Sequence, residues 1–97
     1  MSALAEPSST TTTTAFTFAL VADAEPGVLE RVFTVLARGF PMPRRFTSVH
    51  HDRKGRVAVN LELVGLPADR AELLAARLRG LVGVDKVFVA TTEGGGA

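Results

Sequence analysis

Phe16, Phe18 and Leu20 alternate with Thr17, Ala19 and Val21. That period of two predicts a β-strand over 16–21. The period then changes. Val28, Leu29, Val32, Phe33, Val35 and Leu36 fall at helical spacing and make one apolar face, so a helix is expected over 29–38. Arg38 places a cation near its last carbonyls, and Gly39 offers the left-handed conformation that ends helices. Pro41 and Pro43 then force an extended connection. Strands follow at 46–51 and 57–64, joined by Asp52-Arg53-Lys54-Gly55. Gly55 suits the left-handed position of a short hairpin loop, so the two strands should pair antiparallel. Val57, Val59, Leu61 and Leu63 lie on one face of the second of them. Pro67 ends that strand, and Asp69, with Glu72 three residues on, fits the capping box of a second helix. Ala71, Leu74, Leu78 and Leu81 form its apolar face, Arg77 and Arg79 sit in its last turn, and Gly80 offers a terminus. Val84 to Ala90 reads as the last strand.

The element order is β-α-β-β-α-β. It predicts an α+β, ferredoxin-like βαββαβ fold with two helices on one face of a four-stranded antiparallel sheet. Right-handed crossovers place the first and third strands at the centre. The face away from the helices would carry Ala19, Val21, Ala58 and Phe88 among polar groups, apolar enough to suggest a covering partner. Residues 1–15 include a Ser/Thr tract and 92–97 are Gly-rich, so both are expected to be disordered tails flanking one domain at 16–91.

Composition narrows the function classes. The 97 residues allow one domain, and 46% hydrophobic with 22% charged is ordinary for a globular chain. A net charge of +1 gives no general pull toward nucleic acid. There is no cysteine, hence no disulfide or thiolate chemistry. No signal-peptide pattern is read, and no apolar run approaches the roughly 20 residues of a membrane span, so no membrane association and a cytoplasmic location are expected. No Ser/His/Asp set, paired catalytic carboxylates or phosphate loop is legible, so no catalytic residue is expected. An acylphosphatase-like enzyme would want an Arg in a glycine-rich anion loop after the first strand, and here that loop carries Asp23 and Glu25.

Candidate chemistry concentrates at the first turn, Asp23-Ala24-Glu25-Pro26-Gly27-Val28. Pro26 suits the first helical position, where its missing N–H is no loss. Gly27 leaves room for a ligand's carboxylate to approach the amides of Gly27 and Val28. The competing reading is a plain helix start whose N–H groups are answered by Asp23 or Glu25. His50 and His51 beside Asp52 invite a metal, but neighbours in a strand point to opposite faces, so no metal site is expected. Arg44, Arg45, Arg53, Lys54 and Arg56 make a basic cluster around the second strand that could grip an acidic protein surface or guard a sheet edge. Tyr and Trp are absent, which speaks against base stacking and RNA binding. Phe33, Phe40 and Phe46 read as core.

The Pro-Gly turn from Asp23 to Leu29 resembles the signature loop of ACT domains. Leu29-Glu30-Arg31-Val32, Arg38-Gly39-Phe40, Asn60-Leu61-Glu62-Leu63, Leu73-Leu74, Leu78, Leu81-Val82, Val84 and Val87 are similar, in order and approximate spacing, to the small regulatory subunit of acetolactate synthase, above all to its short, type II form. The resemblance spans about 16–89. It implies a non-catalytic subunit of branched-chain amino acid biosynthesis that dimerises, often edge to edge, and binds and activates a catalytic subunit. Thiamine diphosphate, magnesium and FAD would belong to that partner, with no cofactor on this chain. It also implies a branched-chain amino acid, usually valine, at Asp23, Ala24, Glu25, Pro26, Gly27 and Val28, with Phe40, Pro41 and Met42. Contact with the catalytic partner would fall to Arg44, Arg45, Arg53 and Arg56. Valine-responsive relatives carry an amide side chain in the first loop, where this chain has Asp23 and Ala24, and often an Asn where it has Pro41. The alternative is a free-standing ACT module that senses an amino acid for another protein.

Overall fold

The computed structural model describes residues 14–93. In chain order these form β1 (Thr14–Asp23), α1 (Pro26–Leu36), β2 (Arg45–His51), a 3-10 turn (Asp52–Lys54), β3 (Arg56–Val64), α2 (Ala68–Arg79) and β4 (Val84–Glu93). The expected βαββαβ order and antiparallel sheet are present. The four strands run in the order β2-β3-β1-β4, with β1 and β3 central. The first and last strands, β1 and β4, extend slightly past the expected domain limits of 16 and 91; the rest of both expected tails, 1–13 and 94–97, lies outside the described residues.

Alternation sets the core. Phe18, Leu20, Leu61 and Leu63 are at most 1% exposed, and cross-strand register puts them on one face. Val28, Val32 and Leu36 of α1 and Leu74 and Leu78 of α2 close over that face in a single apolar cluster. No described polar or charged side chain is buried, so hydrophobic burial carries the fold. No described helix lies on the opposite sheet face. Val49 and Phe88 stand 52% and 58% exposed there, with Ala19, Val21 and Ala58 half-buried between them.

Several local expectations are corrected. Helix α1 starts at Pro26, the residue suited to the first helical position and three before the expected start at 29, and ends at Leu36, two residues short of 38. Pro26 fixes the first turn. At the other end Arg38 N–H donates to Val35 O, a 3-10 contact, and Phe40 N–H to Leu36 O, which tightens the chain before Gly39 at φ 104°. Arg38 therefore lies beyond the helix. Asp69 is not the cap of α2: Pro67 holds that position without a side-chain hydrogen bond, and Asp69 falls inside the first turn. There its charge still complements the helix dipole. Leu81 lies past α2, partly buried against the core rather than on the helix face. Gly80 ends α2 in a right-handed conformation, while Gly55 takes the expected left-handed one at φ 62°.

Of the three phenylalanines expected in the core, Phe40 and Phe46 are half-buried against its margin and Phe33 lies outside it. Phe33 on α1 is 42% exposed and packs on Phe46 of β2 with ring centroids 4.9 Å apart. Phe40 lies under Arg70 at 4.6 Å and Arg77 at 5.8 Å. Arg70 also donates to Gly39 O at 2.9 Å, so the chain leaving α1 is clasped to α2. They sit at the rim because α1 covers the centre of the sheet and leaves its far edge open.

Candidate functional site

The first turn is bound tightly to two other loops. Asp23 N–H donates to Gly83 O at 2.8 Å and Ala24 N–H to Gly55 O at 3.0 Å. Glu25 N–H donates to Asp23 O, and Val28 N–H to Glu25 O. Pro26 has no N–H, so Gly27 keeps the turn's one amide without a backbone acceptor among the described residues. Of the two amides expected to face a carboxylate, that of Val28 is thus committed internally, and the Val28 side chain is 1% exposed in the core.

Charged side chains close one flank of the turn. Arg31 reaches back from α1, donating to Val82 O at 2.9 Å and meeting Glu25 Oε1 at 3.4 Å. A Cβ built on Gly27 would stand 3.2 Å from Glu25 Oε1 and 3.3 Å from Arg31 Nη2. This chain's own ion pair therefore covers that side of Gly27. Neither Glu25 nor Asp23 caps α1 through its side chain. Asp23 instead meets Arg56 at 3.4 Å, and Arg56 also reaches Asp85 at 3.5 Å.

On the other flank the molecule is open. A depression of about 230 Å³ lies between the first turn of α1 and strands β2 and β3, lined by Ala24, Glu25, Pro26, Leu29 and Val57, with Ser48 and His50 at its rim. Its floor is apolar because Leu29 of α1 packs against the core and Val57 of β3 faces the helix layer. Its polar rim comes from β2, where His50 pairs with Val57 and Ser48 with Val59 on that same face. His50 Nδ1 lies 3.1 Å from Asp52 Oδ1. The depression opens beside β2, one of the sheet's two edge strands, and its size suits a small apolar side chain with a polar head.

The expected site residues separate into two groups. Those of 23–28 gather at the start of α1. Phe40, Pro41 and Met42 follow its end, an 11-residue helix away, about 16 Å at 1.5 Å per residue. Met42 stands 86% exposed. Within one chain these groups do not meet. Ser48, Leu29 and Val57 were not singled out as site residues. The alternation that places Leu29 and Val57 on inward faces was readable, but their approach across the fold was not. His50 and His51 point to opposite faces, paired with Val57 and Arg56 respectively, and no cluster of metal-ligating side chains occurs among the described residues.

The basic cluster is divided. Arg44 and Arg45 reach Glu62 at 2.9 Å and 3.6 Å at one end of β2. Arg53, Lys54 and Arg56 occupy the hairpin at the other end. The hydrogen bond from Arg44, reinforced by the positive charge of both arginines, holds the Glu62 carboxyl below its ordinary range.

An ACT-like domain family model matches residues 8–94. No curated protein sequence matches the chain. Among solved structures, the chain is similar to the ACT domain of a GTP pyrophosphokinase from Chlorobium tepidum, with a TM-score of 0.69 and 21% identity over 82% of this chain and 100% of that one. A Thermotoga maritima protein gives a TM-score of 0.64 and 15% identity over 84% and 96%. The C-terminal domain of the MgtC protein from Mycobacterium tuberculosis gives 0.66 and 16% over 84% and 90%. At these identities the structural likeness establishes the fold alone. No described helix is long and apolar enough to cross a membrane.

Proposed function

This chain belongs to the ACT-like domain family, and on that premise we propose that it is a small, non-catalytic regulatory module that senses an amino acid. The observation that carries the reading is the open depression between the first turn of α1 and edge strand β2, with its apolar floor at Leu29 and Val57 and polar rim at Ser48 and His50. A branched aliphatic side chain suits that floor, and Gly27 N–H is the amide left for a carboxylate. A second copy joined along β2 would wall the open side, making a dimer the functional unit. Calorimetric titration of the full chain with valine, leucine, isoleucine and the other amino acids tests this, and no binding across the set overturns it. Gly27→Asp would set a second carboxylate beside Glu25; with folding intact, affinity should fall at least tenfold.

The finer reading makes the regulated enzyme acetolactate synthase. It rests on the collinear residues from Phe16 to Val89, among them Arg38-Gly39-Phe40 and Asn60-Leu61-Glu62-Leu63. The chain would then bind and activate a catalytic subunit that carries thiamine diphosphate, magnesium and FAD. Acetolactate formation by a purified catalytic subunit, with and without this chain and valine, tests that assignment. An unchanged rate with no complex formed would remove it and leave the sensing module standing.

A further inference from the structure

The sheet face away from the helices has its own pattern, independent of the depression. Three cross-strand rows define it: Val49-Ala58-Val21-Lys86, then Thr47-Asn60-Ala19-Phe88, then Arg45-Glu62-Thr17-Ala90. Val49, Ala58, Val21, Ala19 and Phe88 make an apolar band across the first two rows, interrupted by Thr47 and Asn60, and Val49 and Phe88 are more than half exposed. Its charges are unbalanced. Three of the acids around it are held by the chain's own arginines, Glu62 by Arg44 and Arg45 and Asp23 and Asp85 by Arg56, while Asp52 lies 3.1 Å from His50 Nδ1. Arg53, Lys54 and Lys86 carry no ion pair among the described residues, and all three stand exposed at the hairpin end. A shallow groove lined by Val21, Ala58, Asp52, Arg53, Lys54 and Arg56 joins this apolar band to the rim, with three cations to one carboxylate.

That imbalance disfavours a second copy as the cover. With the strands of two copies aligned, a two-fold axis along the strands stacks hairpin end on hairpin end and sets Arg53, Lys54 and Lys86 against themselves. An axis across the strands sets them over Arg44 and Arg45, whose one carboxylate is already shared. Like charges meet either way. Base stacking is also poorly served, because the face offers Phe88 alone among aromatics. The geometry points to an acidic amphipathic helix of a different protein as the occupant, its apolar stripe over Val49, Val21 and Phe88 and its carboxylates toward Arg53, Lys54 and Lys86. The four strands span three spacings of about 4.8 Å, roughly 14 Å, which about ten helical residues cover.

The test uses the full chain, labelled with ¹⁵N, and two synthetic 14-residue helical peptides sharing a leucine stripe, one flanked by glutamates and the other by lysines. The glutamate peptide should shift the amides of Val21, Val49, Ala58 and Phe88. The lysine peptide should bind at least tenfold more weakly. Phe88→Asp, at an exposed position that folding does not require, should weaken the glutamate peptide at least tenfold. The double variant Arg53→Glu with Lys54→Glu should weaken it at least threefold, with circular dichroism unchanged in both. Equal binding of the two peptides, no binding, or shifts confined to other surfaces would overturn the assignment. So would phosphatidylglycerol vesicles shifting the same amides as strongly, or Phe88→Asp converting a dimer to a monomer in sedimentation.

Discussion

At the scale of single residues, two glycines near the first turn behave oppositely. Gly83 holds φ 94°, and a Cβ there would meet Val28 Cγ2 at 3.2 Å. Its carbonyl also anchors Asp23. Gly83→Ala should therefore destabilise by about 1–2 kcal/mol from the left-handed backbone alone, measured as a lower urea midpoint with unchanged slope. Gly27 lies in the right-handed helix, and a Cβ there would meet only the flexible ends of Glu25 and Arg31. Gly27→Ala should leave stability unchanged or raise it by roughly 0.5–1 kcal/mol. The sequence marked Gly27 as the special one, since it follows Pro26 in a recognisable turn. It carried no signal for Gly83, whose constraint comes from Val28 and Arg31 more than fifty residues earlier.

Elements were legible by period and poorly legible at their ends. The alternation in β1 and β3 and the helical spacing in α1 and α2 each have one packing solution, so the faces were assigned correctly apart from Phe33, which is exposed on α1, and Leu81, which lies past α2. Ends depend on competition between neighbours. Asp69 has the side chain of a cap, yet Pro67 begins the helix two residues earlier. Arg38 follows a helix already tightened at Leu36. The clasp from α2 onto the chain leaving α1 was hidden for the same reason: Arg70, Phe40 and Gly39 meet only when the two helices lie side by side. Arg70→Ala should cost about 1 kcal/mol through the lost cation–π contact and hydrogen bond, read as a thermal midpoint lower by about 4–8 °C. The β2–β3 pair adds a pH dependence. Arg44 lowers the Glu62 carboxyl in the folded chain. Its contribution is therefore full above the unfolded carboxyl value and fades as pH falls through the lower folded one. Glu62→Gln should reduce stability at neutral pH and flatten the acid limb of the stability profile, converging with the parent in strong acid.

For the whole molecule, regulation by an amino acid implies linkage between binding and folding. A ligand at one hundred times its Kd stabilises the bound fold by about 2.7 kcal/mol, so thermal unfolding with the sensed amino acid should show a concentration-dependent rise that unrelated amino acids do not produce. The chain's sequence by itself determined the βαββαβ order, the central placement of β1 and β3, the inward and outward faces, and the family resemblance. These follow from local periodicity and the handedness of crossovers, both written in neighbouring residues. Only the tertiary structure decided what surrounds the first turn. It divided 23–28 from Phe40, Pro41 and Met42 by the length of α1, and spent the amides of Asp23, Ala24 and Val28 on Gly83, Gly55 and Glu25. It brought Ser48, His50 and Val57 to the depression instead. It also split the cations into Arg44 and Arg45 on Glu62, Arg56 on Asp23 and Asp85, and Arg53 and Lys54 with no ion pair among the described residues. The physical reason is range: periodicity is a property of adjacent positions, whereas hydrogen-bond and charge partners come from strands and loops that only the closed sheet brings together.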